Sequence, residues 1–195
     1  MLGEKLLVNV VACDDGRVEK LGRGYTVVAC ILWSRSPLSL ELNYIRVDGL
    51  EASSTIASMV LKLSLKHDTI IEAILVDSLT IAGFNIISPP TIKKLTGIPL
   101  IAIYKYKPSS HRLEEALRKH FKDWDIRMRV LREVDKAEKI ETRKGELYIY
   151  TWSIDKERAR EIIENLQVHS RIPEPLRLAH KIASEIALIK QRLTS

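Results

Sequence analysis

A near-continuous apolar run, Leu6 to Cys13, halts at Asp14-Asp15-Gly16. A run of that kind, without helical spacing, is expected of a buried central strand. Its neighbours in sequence supply the partners. Tyr25 to Trp33 and Leu38 to Val47 flank a short Ser34-Arg35-Ser36-Pro37 turn and read as a hairpin, with Leu40, Leu42 and Tyr44 alternating onto one face of the second arm. The first three strands are therefore expected to form an antiparallel meander. Ser53 is placed to cap a helix that carries Ile56, Val60 and Leu63 on one side. Ile70 to Val76 is a second continuous apolar strand. Pro99 to Tyr104 is a third, after a short helix near Ile92 to Leu95. Strands that alternate with helices pair in parallel through right-handed crossovers.

Further along, Leu113, Ala116, Leu117 and His120 mark the inner face of another helix. Arg143-Lys144-Gly145-Glu146 reads as a turn, with Leu147 to Tyr150 as the arm that follows. Ala159, Ile162, Ile163 and Leu166 have helical spacing from a start near Asp155. Pro175 suits a first helical position, ahead of a final helix lined by Leu176, Ala179, Ile182, Ala183 and Ile186. The order is meander, helix, strand, helix, strand, helix. It predicts an α/β chain with a ribonuclease H-like mixed sheet flanked by helices, as one domain over residues 1–195. In that order the first strand lies centrally with the fourth beside it in parallel, so Asp14 and Asp77 end neighbouring strands at one edge.

Composition excludes several classes. With 46% hydrophobic and 29% charged residues over 195, the chain is that of a soluble globular protein. The segment Met1 to Asn9 is too short for a membrane span and lacks a signal-peptide pattern, so no membrane partner and a cytoplasmic location are expected. Cys13 and Cys30 both sit in apolar strand-like runs. They have no zinc spacing and read as two small buried core residues rather than a disulfide framework. The net charge of +6 is unevenly spread. Residues 1–100 carry ten Lys/Arg against ten Asp/Glu, and residues 101–195 carry 21 against 15. A basic half beside an acidic site suits a polyanionic substrate, although an ion-paired surface would look the same.

Three strand ends carry aspartate: Asp14, Asp48 and Asp77. One carboxylate per strand is how a sheet gathers hard oxygen ligands for Mg²⁺ or Mn²⁺, and such a metal serves phosphodiester cleavage. Each has a plainer reading. Asp14-Asp15-Gly16 and Asp48-Gly49 also suit turns. Glu51 could replace Asp48. Asp77, set in Ile74-Leu75-Val76-Asp77-Ser78-Leu79-Thr80, could be satisfied by Ser78 and Thr80 or could cap a helix. His67, His111, His120 and His169 show no ligand spacing. The tryptophans and the tyrosines of residues 104–150 could stack on bases, although core and sheet positions explain them better. In Ile172-Pro173-Glu174-Pro175-Leu176-Arg177-Leu178-Ala179-His180, two prolines bracket an acid ahead of a helix. Arg177 and His180 could reach the metal site or a phosphate.

These motifs (ACDDG at 12–16, VDGLEAS at 47–53, ILVDSLTIAGFN at 74–85, LRKHFKDW at 117–124 and RIPEPLRLAH at 171–180) resemble the archaeal domain-of-unknown-function family 99 over nearly the whole chain. That family is in turn similar, more distantly, to endonuclease V. The resemblance implies a ribonuclease H-like fold, and Mg²⁺ or Mn²⁺ held by Asp14, Asp48 and Asp77 for cutting a phosphodiester in DNA or RNA. Asp15 and His180 are expected beside the metal, and Arg177 at the metal or the phosphate. Endonuclease V has Glu where Asp48 stands and usually Asp where His180 stands. Its proline-tyrosine wedge is absent from Leu40 to Arg46, which separates metal chemistry from recognition of inosine. The alternatives are a non-catalytic nucleic-acid-binding protein of the same fold and a small-molecule nucleotide hydrolase.

Overall fold

The structure is a computed structural model that describes residues 8–18 and 24–194, with side chains described up to residue 190 and at 192. Most of Met1 to Asn9, on which the targeting argument rested, and the start of the first apolar run lie outside the described residues. Among those described, no helix is long and apolar enough to cross a membrane.

The apolar runs form a seven-stranded mixed sheet. Its strands are β1 (Val10–Asp15), β2 (Tyr25–Trp33), β3 (Pro37–Arg46), β4 (Ala73–Val76), β7 (Leu100–Tyr104), β8 (Glu138–Thr142) and β9 (Gly145–Trp152), in the spatial order β3-β2-β1-β4-β7-β9-β8. The β1–β2 and β2–β3 pairs are antiparallel, and β4 joins β1 and β7 in parallel. The meander and the parallel strands are as the sequence order predicts. The turn at Arg143 to Glu146 joins two strands, β8 and β9, and this hairpin extends the sheet antiparallel to β7. A two-stranded ribbon, β5 (Thr80–Ile81) and β6 (Asn85–Ile86), follows β4.

Alternation along the strands sorts residues onto two faces. Val11, Cys13, Val28, Cys30, Ile74 and Val76 pack with Ile56, Val60 and Leu63 of α1 (Ala52–His67). On that same face lie α2 (Pro89–Thr96), α3 (Ser110–His120) and α4 (Trp124–Leu131). Val10, Ala12, Ala73, Leu75, Ile101 and Ile103 pack on the other face with α5 (Lys156–Leu166) and the Leu176 end of α6 (Glu174–Thr194). The helix starts have chemical causes. Ser88 caps α2 ahead of Pro89 and Pro90, and Asp155 accepts from the Arg158 amide to cap α5.

Three expectations are corrected. Ser53 lies inside α1, whose N-cap is Glu51; the Ser53 hydroxyl is buried and bonds Ile86 O and the Ser88 amide. In α3 only Leu117 is buried, because the helix packs along a narrow seam and leaves His120 exposed. Cys13 and Cys30 are core residues but are not free thiols. The antiparallel register sets them directly opposite, with Cα atoms 4.1 Å apart, and they form a disulfide.

Candidate active site

The register decides which acids meet. Val10, Ala12 and Asp14 share one face of β1, and Ala73 and Leu75 share the same face of β4. The parallel register runs from Val10–Ala73 to Cys13–Val76. The next step along both strands brings Asp14 level with Asp77 on the α6 side. Asp14 is 4% exposed. Its Oδ1 accepts from the Asp15 amide at 2.8 Å, and its Oδ2 lies 3.0 Å from His180 Nδ1. His180 is delivered by α6, and its side chain stays 63% exposed.

The approach of α6 depends on Gly16. A Cβ built there would collide with Ala183 O and Ala187 Cβ, so the glycine lets the helix pass close to the end of β1. This explains the third residue of Asp14-Asp15-Gly16 without a turn.

Asp14 and Asp77 line one cleft of about 770 Å³. Lys105, Arg171, Arg177 and Lys181 stand around it. Burial, then the Asp77 charge, then the Asp15 charge push the Asp14 carboxyl up to about 9. Burial also raises Asp77, and His180 and Lys105 partly oppose the rise. Solvent reaches Asp77 through the cleft mouth, yet protein surrounds it on most other sides, so desolvation and exposure act together. Bringing the two carboxyls together disfavours ionising both, and a cation between them would offset that cost.

Asp15 points the other way. Its Oδ2 accepts from the Ala82 amide at 2.8 Å, tying β1 to the ribbon, while burial lifts its carboxyl to about 6 against that hydrogen bond.

Asp48 is set apart from the pair. It adopts φ 59°, and its Oδ1 accepts from the Phe84 amide at 2.6 Å. Its carbonyl and those of Gly49 and Phe84 accept from Arg127, which is 5% exposed and ion-paired with Asp123. The Arg127 guanidinium stacks 4.6 Å from the Phe121 ring centre. Asp48 thus forms part of a loop clamp and does not line the cleft. Glu51 is occupied as well. Burial would raise its carboxyl, but the Arg46 and Leu50 amides it accepts from hold it below its ordinary value. Among the described residues, no three His, Cys, Asp or Glu side chains are assembled as a ready metal cage.

Arg177 lines the cleft while paired with Glu174 at 2.8 Å. Sequence reasoning passed over Lys105 and considered Tyr104 only as a stacking surface. The same strand-end argument, applied to Tyr104-Lys105-Tyr106 after β7, would have found them, since β7 lies next to β4. The Tyr104 hydroxyl is buried in the cleft wall beside the Leu79 backbone.

Residues 7–187 match the model of a family described as Endonuclease dU. A UPF0215 protein of Aeropyrum pernix is 44% identical over 94% of this chain and 100% of its own length. One of Pyrococcus horikoshii is 32% identical over 92% of each chain. Among solved structures, a protein of unknown function from Archaeoglobus fulgidus superposes with a TM-score of 0.78 at 22% identity, over 92% of this chain and 98% of that one. Endonuclease V of Ciona intestinalis, solved in complex with an inosine-containing DNA, superposes with a TM-score of 0.59 at 12% identity, covering 98% and 89%. These likenesses establish an endonuclease V-like fold. They carry the descriptions Endonuclease dU and UPF0215 in place of the domain-of-unknown-function label. The chain belongs to the Endonuclease dU family.

Proposed function

We propose that the chain is a metal-dependent nuclease that cuts a phosphodiester of DNA or RNA in the cleft formed by Asp14 and Asp77. The observation that carries this reading is the level placement of a buried Asp14 and a solvent-reached Asp77 at the ends of adjacent parallel strands, facing a cleft with cationic walls. The donor set fits Mg²⁺ or Mn²⁺: hard oxygens, too few for a closed cage. Mg²⁺ is commonly bound by one or two carboxylates together with waters and substrate phosphate. When bound, such an ion supplies Lewis-acid activation of water and neutralises charge on the phosphate.

The chain's own residues do the rest. Lys105, Arg171 and Lys181 hold the phosphate backbone, and Arg177, released from or shared with Glu174, adds a bidentate contact. His180 Nδ1 stays against Asp14 Oδ2, which fixes the imidazole plane. Its exposed ring can pass a proton to or from an oxygen of the substrate. Asp15 holds the Ala82 amide and, through it, the ribbon beside Asp77. The family description points to deoxyuridine as a substrate feature to test first.

Calorimetric titration with Mn²⁺ should give saturable binding in the wild type and none in Asp14→Asn or Asp77→Asn. Asp48→Ala, where it folds, should retain binding. Cleavage should appear with Mg²⁺ or Mn²⁺ on at least one of uracil-containing, inosine-containing, abasic, flap or single-stranded substrates. Featureless titrations for all variants would sink the metal reading. Because no three-ligand cage is assembled among the described residues, a nucleic-acid-binding protein without turnover is the second reading. Tight, salt-sensitive binding with no cleavage would favour it.

A further inference from the structure

The strand β3 forms one margin of the sheet and, among the described residues, pairs only with β2. It is ten residues long. Leu40, Leu42 and Tyr44 alternate along it and are 38%, 44% and 55% exposed, and Leu38, at an irregularity in the pairing with β2, is 47% exposed. Leu42 and Leu40 lie level with Ala29 and Ile31 of β2, and Ala29 lies level with Asp14, so this row is on the α6 side. Contacts of α6 concentrate on β1 and β2, and Lys190 of that helix reaches the Tyr44 ring at 4.6 Å. The leucines beyond it are left uncovered by the described residues. A long strand margin with free backbone groups and an apolar row is a template for another strand.

We propose that this margin pairs antiparallel with β3 of a second copy of the chain, about a twofold axis at Leu40. Directly opposed residues in an antiparallel pair share a face, so the axis must pass through one residue and its own copy. An axis at Glu41 would set two carboxylates face to face, which is unfavourable. An axis at Leu42 would set Glu41 against Asn43. An axis at Leu40 opposes Leu40 to itself and carries Leu42 of each copy toward the Leu38 end of the other, which covers the apolar row on both copies. On the other face it sets Glu41 against Ser39 of the second copy. Lys66 of α1 already donates to Ser39 Oγ at 3.3 Å, so each Glu41 meets a cation placed for it. The two-sided match of leucines on one face and Glu41 with Lys66 on the other selects this register. The proposal is independent of the nuclease reading and places the two clefts on one continuous sheet.

The chain has two cysteines, both in the Cys13–Cys30 disulfide, so an introduced thiol reports without background. Mild oxidation should convert Leu40→Cys to a covalent dimer. Leu42→Cys should fail to cross-link alone. In sedimentation the wild type should weigh twice the 22.2 kDa chain. Glu41→Lys and Lys66→Glu should each yield monomer, and the double variant should restore the dimer, which excludes misfolding as the cause. A wild type that sediments at chain mass throughout the micromolar range would overturn the proposal. So would a dimer unaffected by Glu41→Lys, or cross-linking of Leu42→Cys on its own.

Discussion

Asp14 and Asp15 are adjacent in sequence and opposite in role. One faces the cleft with Asp77 and His180; the other anchors the Ala82 amide on the far side of the sheet. The strand alternation that separates them also explains their protonation. In the unfolded chain Asp14 ionises near its ordinary 3.8, whereas the folded protein holds the proton up to about 9. The native state therefore binds more protons across that window, and stability of the metal-free protein falls as pH rises through it. Asp77 and Asp15 are raised as well and act in the same direction. In chelator at about pH 8, Asp14→Asn should melt above the wild type, and the gap should close toward about pH 4. Added Mg²⁺ or Mn²⁺ should stabilise the wild type and not the variant. A wild-type melting temperature that stays flat across this range would contradict the account. The meeting of Asp14 and Asp77 is legible in sequence because two apolar runs end in acid and the strand order places them side by side. Asp48 is set apart from the pair for a physical reason. Its strand ends in the same way, but a positive φ turns the carboxylate onto the Phe84 amide, and that amide belongs to a ribbon with no sequence signature.

Among the elements, α6 does the most to shape the cleft. Its passage beside β1 requires the missing side chain at Gly16, and it brings Arg177, His180 and Lys181 to the strand ends. Gly16→Ala must displace the helix backbone at Ala183, so it should cost about 1–3 kcal/mol, as overpacking does. Because the displacement moves His180 relative to Asp14, Mn²⁺ affinity or cleavage should fall further than unfolding accounts for. Chemical denaturation combined with titration of the folded protein separates the two effects. Helix starts with strong capping chemistry, Ser88 and Asp155, could be read from sequence. The start of α1 could not. Glu51 takes the N-cap position and spends its carboxylate on the amides before it, which leaves Ser53 to bond across to Ile86 and Ser88.

For the molecule as a whole, the surplus of positive charge in residues 101–195 becomes a wall on one side of the cleft, from β7 and α6 together. Nucleic-acid affinity should fall linearly with salt on logarithmic axes. Lys105→Ala and Lys181→Ala should each lower the slope by about one, the signature of a lost phosphate contact. An unchanged slope in both would place the binding surface elsewhere. Composition shows the charge but not its convergence, which depends on a crossover and a distant helix. The disulfide was hidden for a similar reason, since a sequence separation of 17 carries no hint of register. Its position has a consequence for fidelity of assembly. A slip of β1 by a single residue against β2 would exchange the two faces, turning Asp15 into the cleft and Asp14 toward the ribbon. Hydrophobic patterning alone resists such a slip weakly here, because both faces of the strand are apolar. The covalent link between Cys13 and Cys30, one residue before Asp14, keys the strand to a single alignment and excludes the misregistered form once it closes.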